Sequence, residues 1–150
     1  MTERASFTVR LAASPDEAFP FFEPVNETKW DPDWRPRLLG ERIEPGLVFL
    51  VGDGEDRATW VLDAYDPGSH RIGYVAVSRT IATRIAIDVR AVENGSIATV
   101  VYEKTALDED SVEMVKHVMR HVPAQGPHWE SAIGAAIIRS REGGDPAADA

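Results

Sequence analysis

Apolar and polar residues alternate from Ser6 to Ala12, with Phe7, Val9 and Leu11 set against Thr8 and Arg10. This period of two predicts a half-buried strand. The pattern then changes. Ser14-Pro15-Asp16-Glu17 supplies an N-cap hydroxyl, a proline suited to the first helical position and a glutamate that completes a capping box. A short helix is expected over 15–22, and a second from about Pro24 to just before Trp30. The next stretch, Trp30-Asp31-Pro32-Asp33-Trp34-Arg35-Pro36, holds two prolines that restrict its backbone. It reads as a loop pinned by its two tryptophans.

A run of hairpins follows. Strands are expected over 37–44, 47–51, 59–65, 71–77, 81–92 and 96–105. Pro45-Gly46, Gly52-Asp53-Gly54, Asp66-Pro67-Gly68 and Asn94-Gly95 mark turns between them. With the first strand this makes seven, joined mostly by short turns, which implies an antiparallel meander. The strand over 81–92 is the plainest. Ile81, Thr83, Ile85, Ile87 and Val89 share one face; Arg84, Asp88 and Arg90 share the other. By the same parity Trp60 joins Leu62 and Ala64, and Tyr74 joins Ile72 and Ala76, on interior faces. The strand of Tyr102 is apolar on both faces, so the direction of that ring stays open.

Val112, Val115, Met119, Val122, Gly126, Trp129, Ile133 and Ala136 step by three and four, which makes one apolar helical stripe. Asp108 to Asp110 suit its N-terminus. Pro123 and Pro127 lie inside the pattern, and each removes a backbone donor. A kink or break is therefore expected from Val122 to Pro127. From Arg141 onward the chain is mainly Gly, Pro, Ala and Asp and has nothing to bury. Residues 1–140 read as a single domain and 141–150 as a disordered tail.

These elements give an α+β class, with a curved seven-stranded antiparallel sheet gripping one long C-terminal helix. Two short helices plug the space between strands one and two. A bent sheet around a single helix leaves more volume than side chains fill, and such hollows bind small molecules. The residues expected to line the pocket are Trp34, Trp60 and Tyr74, then Ile85 and Ile87 from the sheet, and Met119 and Val122 from the helix. Trp30 and Trp34 either wall a ligand or staple their loop to the sheet. An inward Tyr74 hydroxyl needs a partner: a ligand oxygen, a water or a backbone carbonyl.

The element order resembles the START-like or SRPBCC superfamily, which includes polyketide cyclase/dehydrase-like and birch-pollen-allergen-like helix-grip proteins. Three stretches carry the resemblance. The first is Phe7 through Trp34, with its capping box, Ala18-Phe19, Glu27, Trp30 and Trp34. The second is Trp60 through Tyr74, with Tyr65-Asp66 before the turn. The third is Val100-Val101-Tyr102 through Ala106-Leu107, followed by the helix of Trp129. The resemblance implies a cavity for apolar or aromatic molecules such as lipids, sterols, polyketides or plant-type hormones. It carries no catalytic motif onto numbered residues here.

Composition narrows the picture. The chain has 150 residues, no cysteine and a formal net charge of −9. The absence of cysteine removes disulfides and thiolate chemistry, and suits a reducing cytosol. So acidic a chain repels polyanions, so nucleic acid is not an expected partner. The first residues carry no apolar signal core, and no apolar run approaches the roughly 18 residues of a membrane span. The expected protein is cytoplasmic, without stable membrane insertion, and a monomer or homodimer.

Candidate chemistry is sparse. His117 and His121 have the i, i+4 spacing of a metal pair, but they fall opposite the apolar stripe, beside Lys116 and Arg120. No metal site is expected. Asp31 and Asp33 flank Pro32 and fit turn formation better than acid–base work. Asp53, Glu55 and Asp56 lack the spacing of a calcium loop. There is no Gly-x-Ser-x-Gly elbow, phosphate loop or dinucleotide fingerprint, and no cofactor is expected. The reading is a binding protein for a small hydrophobic molecule. The alternatives are a cyclase, dehydratase or aromatase acting on a polyketide-like substrate, and a helix-grip module that regulates a protein partner.

Overall fold

Seven strands pair in one antiparallel sheet in the computed structural model, which describes residues 1–143. They are β1 (Thr2–Leu11), β2 (Arg37–Leu38), β3 (Val48–Val51), β4 (Ala58–Asp66), β5 (Arg71–Val77), β6 (Ile81–Val92) and β7 (Gly95–Ala106). Their order across the sheet is β1-β7-β6-β5-β4-β3-β2. Six strands form the expected meander, and β1 closes on β7 from Thr2↔Thr105 to Leu11↔Ser96. The strand β1 starts earlier than its alternation suggests, because Thr2 to Ala5 are held by the ladder rather than by burial.

The strand expected over 37–44 shrinks to two residues. Leu39 still donates its N–H to Val48 O at 2.9 Å. Beyond it, Gly40, Glu41 and Arg42 are exposed and bury nothing, so the chain leaves the ladder. The two expected short helices are tighter than regular α structure. Ser14 Oγ accepts from Glu17 N at 3.3 Å and caps α1 (Pro15–Ala18). Pro20 lacks the N–H needed to continue it, and 3₁₀ turns follow at Phe19–Phe22 and Asn26–Lys29. These turns drive Phe19, Phe21 and Phe22 into the core.

Parity fails at one point. A bulge between Leu62 and Ala64 shifts the β4 register, so Ala64 is exposed and does not share the inward face of Trp60 and Leu62. Tyr65 turns inward instead. It stacks on Phe19 at 6.1 Å and donates its hydroxyl to Glu23 Oε2 at 2.9 Å. Burial and that carboxylate push the phenol up to about 12.

The C-terminal helix breaks where its prolines predict. Helix α2 (Val112–His121) passes through a 3₁₀ turn at Val122–Gln125 into α3 (Gly126–Gly143). At the break α3 meets β1 closely: a Cβ on Gly126 would lie 2.7 Å from Thr8 O. The stripe Val115, Met119, Val122, Ile133 and Ala136 is buried, extended by Ile137, against Val9, Leu62, Ile72, Ile87 and Val100 of the sheet. Helix α3 continues three residues past Ser140. Arg141 donates from Nε to Glu17 Oε2 at 2.7 Å and from a terminal nitrogen to Ala12 O at 3.0 Å. That guanidinium holds the Glu17 carboxyl below its usual range. Residues 144–150 of the expected tail lie outside the described residues. Among the described residues no helix is long and apolar enough to cross a membrane.

Candidate functional site

A cavity of about 370 Å³ lies between the sheet and the broken helix. The sheet supplies Trp60 from β4, Tyr74 from β5, Thr83, Ile85 and Ile87 from β6, and Tyr102 and Lys104 from β7. The segment between β1 and β2 adds Glu27, Trp30, Asp31 and Trp34. The helix break and the first turn of α3 add Gln125, His128 and Trp129. All four tryptophans of the chain therefore meet at one cavity.

Local hydrogen bonds explain how an irregular, proline-rich loop can hold two of them. Trp30 Nε1 donates to Phe21 O at 2.8 Å, and Trp34 Nε1 donates to Pro24 O at 2.7 Å. Each indole thus satisfies its polar edge on the 3₁₀ segment and keeps an apolar face for packing. Trp34 meets Trp60 edge-on at 5.1 Å and Phe49 at 6.0 Å. Trp60 stacks on Phe49 at 5.7 Å, and Tyr74 meets Trp60 edge-on at 5.8 Å. Across the cavity Trp129 packs on Trp30 at 4.9 Å and on Phe7 at 5.0 Å. The paired tryptophans of the loop both staple it and wall the cavity.

Five of the seven residues expected to line a pocket come together here: Trp34, Trp60, Tyr74, Ile85 and Ile87. The Tyr74 hydroxyl is already committed, donating to Phe22 O at 2.6 Å, and burial drives its pKa far upward. Its ring, not its oxygen, is the part available to a ligand. Met119 is buried in the core and is not part of the cavity wall. Val122 borders an adjoining groove, beside His117, Val118 and His121, which shares Tyr102, Lys104, Gln125 and Trp129 with the cavity. The break accounts for both displacements. Met119 lies in the helical turn before it, and the cavity wall is supplied by residues after Val122. The rings of His117 and His121 pack edge-on at 4.8 Å on the exposed side of α2.

The polar residues of the cavity are those that sequence reasoning did not assign to it. Burial raises the Glu27 carboxyl well above the carboxylate range, and the neighbouring Asp31 raises it further. Asp31 also does the turn work expected of it, accepting from Asp33 N at 3.1 Å. On the sheet side Lys104 Nζ donates to Thr83 Oγ1 at 2.9 Å and lies 5.8 Å from the centre of the Tyr102 ring. Burial lowers its amine pKa. Tyr102 faces the cavity and stacks on Phe7 at 6.2 Å; burial, with Glu27 and Asp31, raises its phenol. Lys104 had a legible signal: it shares parity with Val100 and Tyr102, and pairs with Thr83 on the inward face of β6.

The Glu27 shift has a measurable sign. The unfolded chain releases this proton near 4.5, whereas the folded chain holds it to higher pH. Stability is therefore lost as pH rises above 4.5, by up to about 1.4 kcal/mol per unit, until the folded carboxyl ionises. Glu27→Gln removes this loss. The variant should match the parent near pH 4 and melt higher at pH 7 in thermal unfolding followed by circular dichroism. A difference that stays constant from pH 4 to 8 would count against a raised Glu27 pKa.

No protein-family profile matches the chain, and no curated protein sequence matches it. Solved structures do match its fold. Ara h 8.0201 superposes with a TM-score of 0.70 at 14% identity, over 92% of this chain and 99% of the other. A point mutant of norcoclaurine synthase from Thalictrum flavum, in complex with a transition-state analogue, gives 0.70 at 13%, over 94% and 97%. The Zhui aromatase/cyclase from Streptomyces sp. R1128 gives 0.67 at 14%, over 94% and 96%. The likeness is one of fold: a seven-stranded antiparallel sheet around a long C-terminal helix, the helix-grip arrangement.

Proposed function

We propose that the protein binds a small, largely aromatic or apolar molecule in the cavity between sheet and helix. The observation that carries this reading is the convergence of all four tryptophans on that cavity. Trp34, Trp60, Tyr74, Ile85 and Ile87 form apolar walls that favour desolvated aromatic surface. The Glu27–Asp31 segment and the Lys104–Thr83 pair supply polar groups that orient the guest. The volume lies in the range of ligand pockets, roughly 300–1,000 Å³. Similarity of fold to a plant enzyme and to an aromatase/cyclase agrees with a site for aromatic guests.

The test uses the tryptophans themselves. Titration with 2-naphthalenemethanol should quench and shift their emission saturably at one molecule per chain. Native mass spectrometry of the protein as purified should also find a retained small molecule, or an empty cavity that fills on titration. A linear, unsaturable response with no bound mass would reject the reading.

One observation favours a second reading, an acid–base enzyme of the cyclase or dehydratase type. A carboxyl with raised pKa and an amine with lowered pKa face the same cavity, the directions that general acid and base chemistry requires. If this reading holds, Glu27→Gln abolishes turnover of a polyketide-like substrate and leaves its binding within a few-fold of the parent.

A further inference from the structure

Lys104 stands apart from every other amine in the chain. The sequence has three lysines. Lys29 is exposed, and Lys116 is exposed and paired with Glu113 at 3.6 Å. Lys104 is half-buried on β7, with Nζ directed at the wall of the tryptophan cavity. Its one hydrogen-bond partner among the described residues is a neutral hydroxyl, Thr83 Oγ1 at 2.9 Å. Among the described residues no carboxylate forms an ion pair with it.

A solvated ammonium is a poor nucleophile because its lone pair carries a proton. A desolvated amine without a counter-ion gives that proton up more readily, which is how lysines become reactive toward carbonyl compounds. The surroundings add two further conditions. The aromatic walls bring an apolar carbonyl compound to the amine and limit the water that would reverse the reaction. Thr83 fixes the direction of Nζ, and its register position opposite Lys104 makes this a property of the β6–β7 ladder.

We propose that Lys104 captures small aromatic or apolar aldehydes and ketones as an imine. The neutral amine attacks the carbonyl carbon, and the C–N bond forms as the C=O π pair moves to oxygen. A proton passes from nitrogen to that oxygen to give a carbinolamine. The C–O bond then breaks, and the oxygen departs as water with the second nitrogen proton. The product is an imine between the ligand carbon and Lys104 Nζ, and no electrons are gained or lost. Burial lowers the amine pKa in the direction this step needs. The inference rests on the cavity being a ligand site.

The test is reductive trapping of the full chain with 2-naphthaldehyde and sodium cyanoborohydride, followed by intact mass and peptide mapping. A single addition is expected at Lys104, at least about tenfold faster than at Lys29, Lys116 or the amino group of Met1. Excess 2-naphthalenemethanol, which lacks the carbonyl, should suppress it. Lys104→Met and Lys104→Arg should both lose the addition while retaining the parent's circular dichroism; the arginine variant keeps the charge if the methionine variant does not fold. Labelling spread evenly over the four amines, or led by a surface amine, overturns the proposal. If the alcohol binds by tryptophan quenching and Lys104 stays unmodified, the imine fails and the ligand site stands. If the alcohol does not bind and only surface amines react, both fail.

Discussion

Replacing Phe49 by alanine is expected to destabilise the fold by about 3–5 kcal/mol. At this chain length each kcal/mol moves the melting temperature by roughly 2–4 °C, so a fall of about 6–20 °C should be seen by calorimetry. Phe49 is fully buried on β3, close to the edge of the sheet. Its ring meets Trp34 and Tyr74 edge-on at 6.0 Å each, and stacks on Trp60 at 5.7 Å. It therefore backs three residues of the cavity wall without lining the cavity itself. Removing it leaves a void behind the wall as well as exposing apolar surface, and both effects have the same sign. Phe49→Leu, which keeps most of the volume, should recover more than half of the loss. A fall of under about 1 kcal/mol in the alanine variant would mean that the indoles collapse into the void, and that their observed arrangement does not depend on Phe49.

The second large effect concerns a residue with no side chain. Gly95→Ala is expected to lower stability by about 3 kcal/mol. Asn94 takes the left-handed conformation at φ 67° to close the β6–β7 hairpin, and Gly95 follows it under the end of β1. A Cβ at position 95 would lie 2.1 Å from Leu11 O, which is backbone and cannot swing aside. At an unhindered helical position glycine to alanine is favourable, because it restricts the unfolded chain and suits a helix. A Cβ on Gly134, within α3, would meet no neighbouring atom within 4 Å, so Gly134→Ala should gain up to about 1 kcal/mol. Urea unfolding of the two variants should therefore give midpoints displaced in opposite directions. Equal displacements would remove the steric argument at Gly95.

Most of the sheet is legible in the sequence because period-two alternation and turn residues coincide. The Asn94-Gly95 hairpin and the Pro123–Pro127 break are local chemistry, and they stand where local chemistry places them. The strand at 37–44 is overread because two apolar residues, Leu38 and Leu39, begin a pattern that Gly40-Glu41-Arg42 does not continue. The cavity is legible only in its apolar part. Aromatic residues on inward faces announce themselves by parity, whereas Glu27 sits in a 3₁₀ turn that has no parity to read. Met119 and Val122 are assigned to the pocket because they lie on the apolar stripe of the helix, but before the break that stripe packs into the core. The break redirects the chain, and Gln125, His128 and Trp129 take that place. Lys104 is legible by parity but masked by type, because a lysine on a strand suggests solvent until its bond to Thr83 is seen.

The bulge in β4 has a consequence of its own. A strand is a two-stroke pattern, and one extra residue shifts its phase by half a cycle. Before the bulge β4 is phased to the tryptophan cavity through Trp60 and to the core through Leu62. After it the strand is phased to the plug of short helical turns through Tyr65, which grips Phe19 and Glu23. One strand thereby serves two partners at different levels of the molecule. Excising Asp63 would leave Trp60, Leu62 and Tyr65 in plain alternation on one face, so both rings would keep their inward side and β4 would lose only the local kink and twist that the bulge gives it.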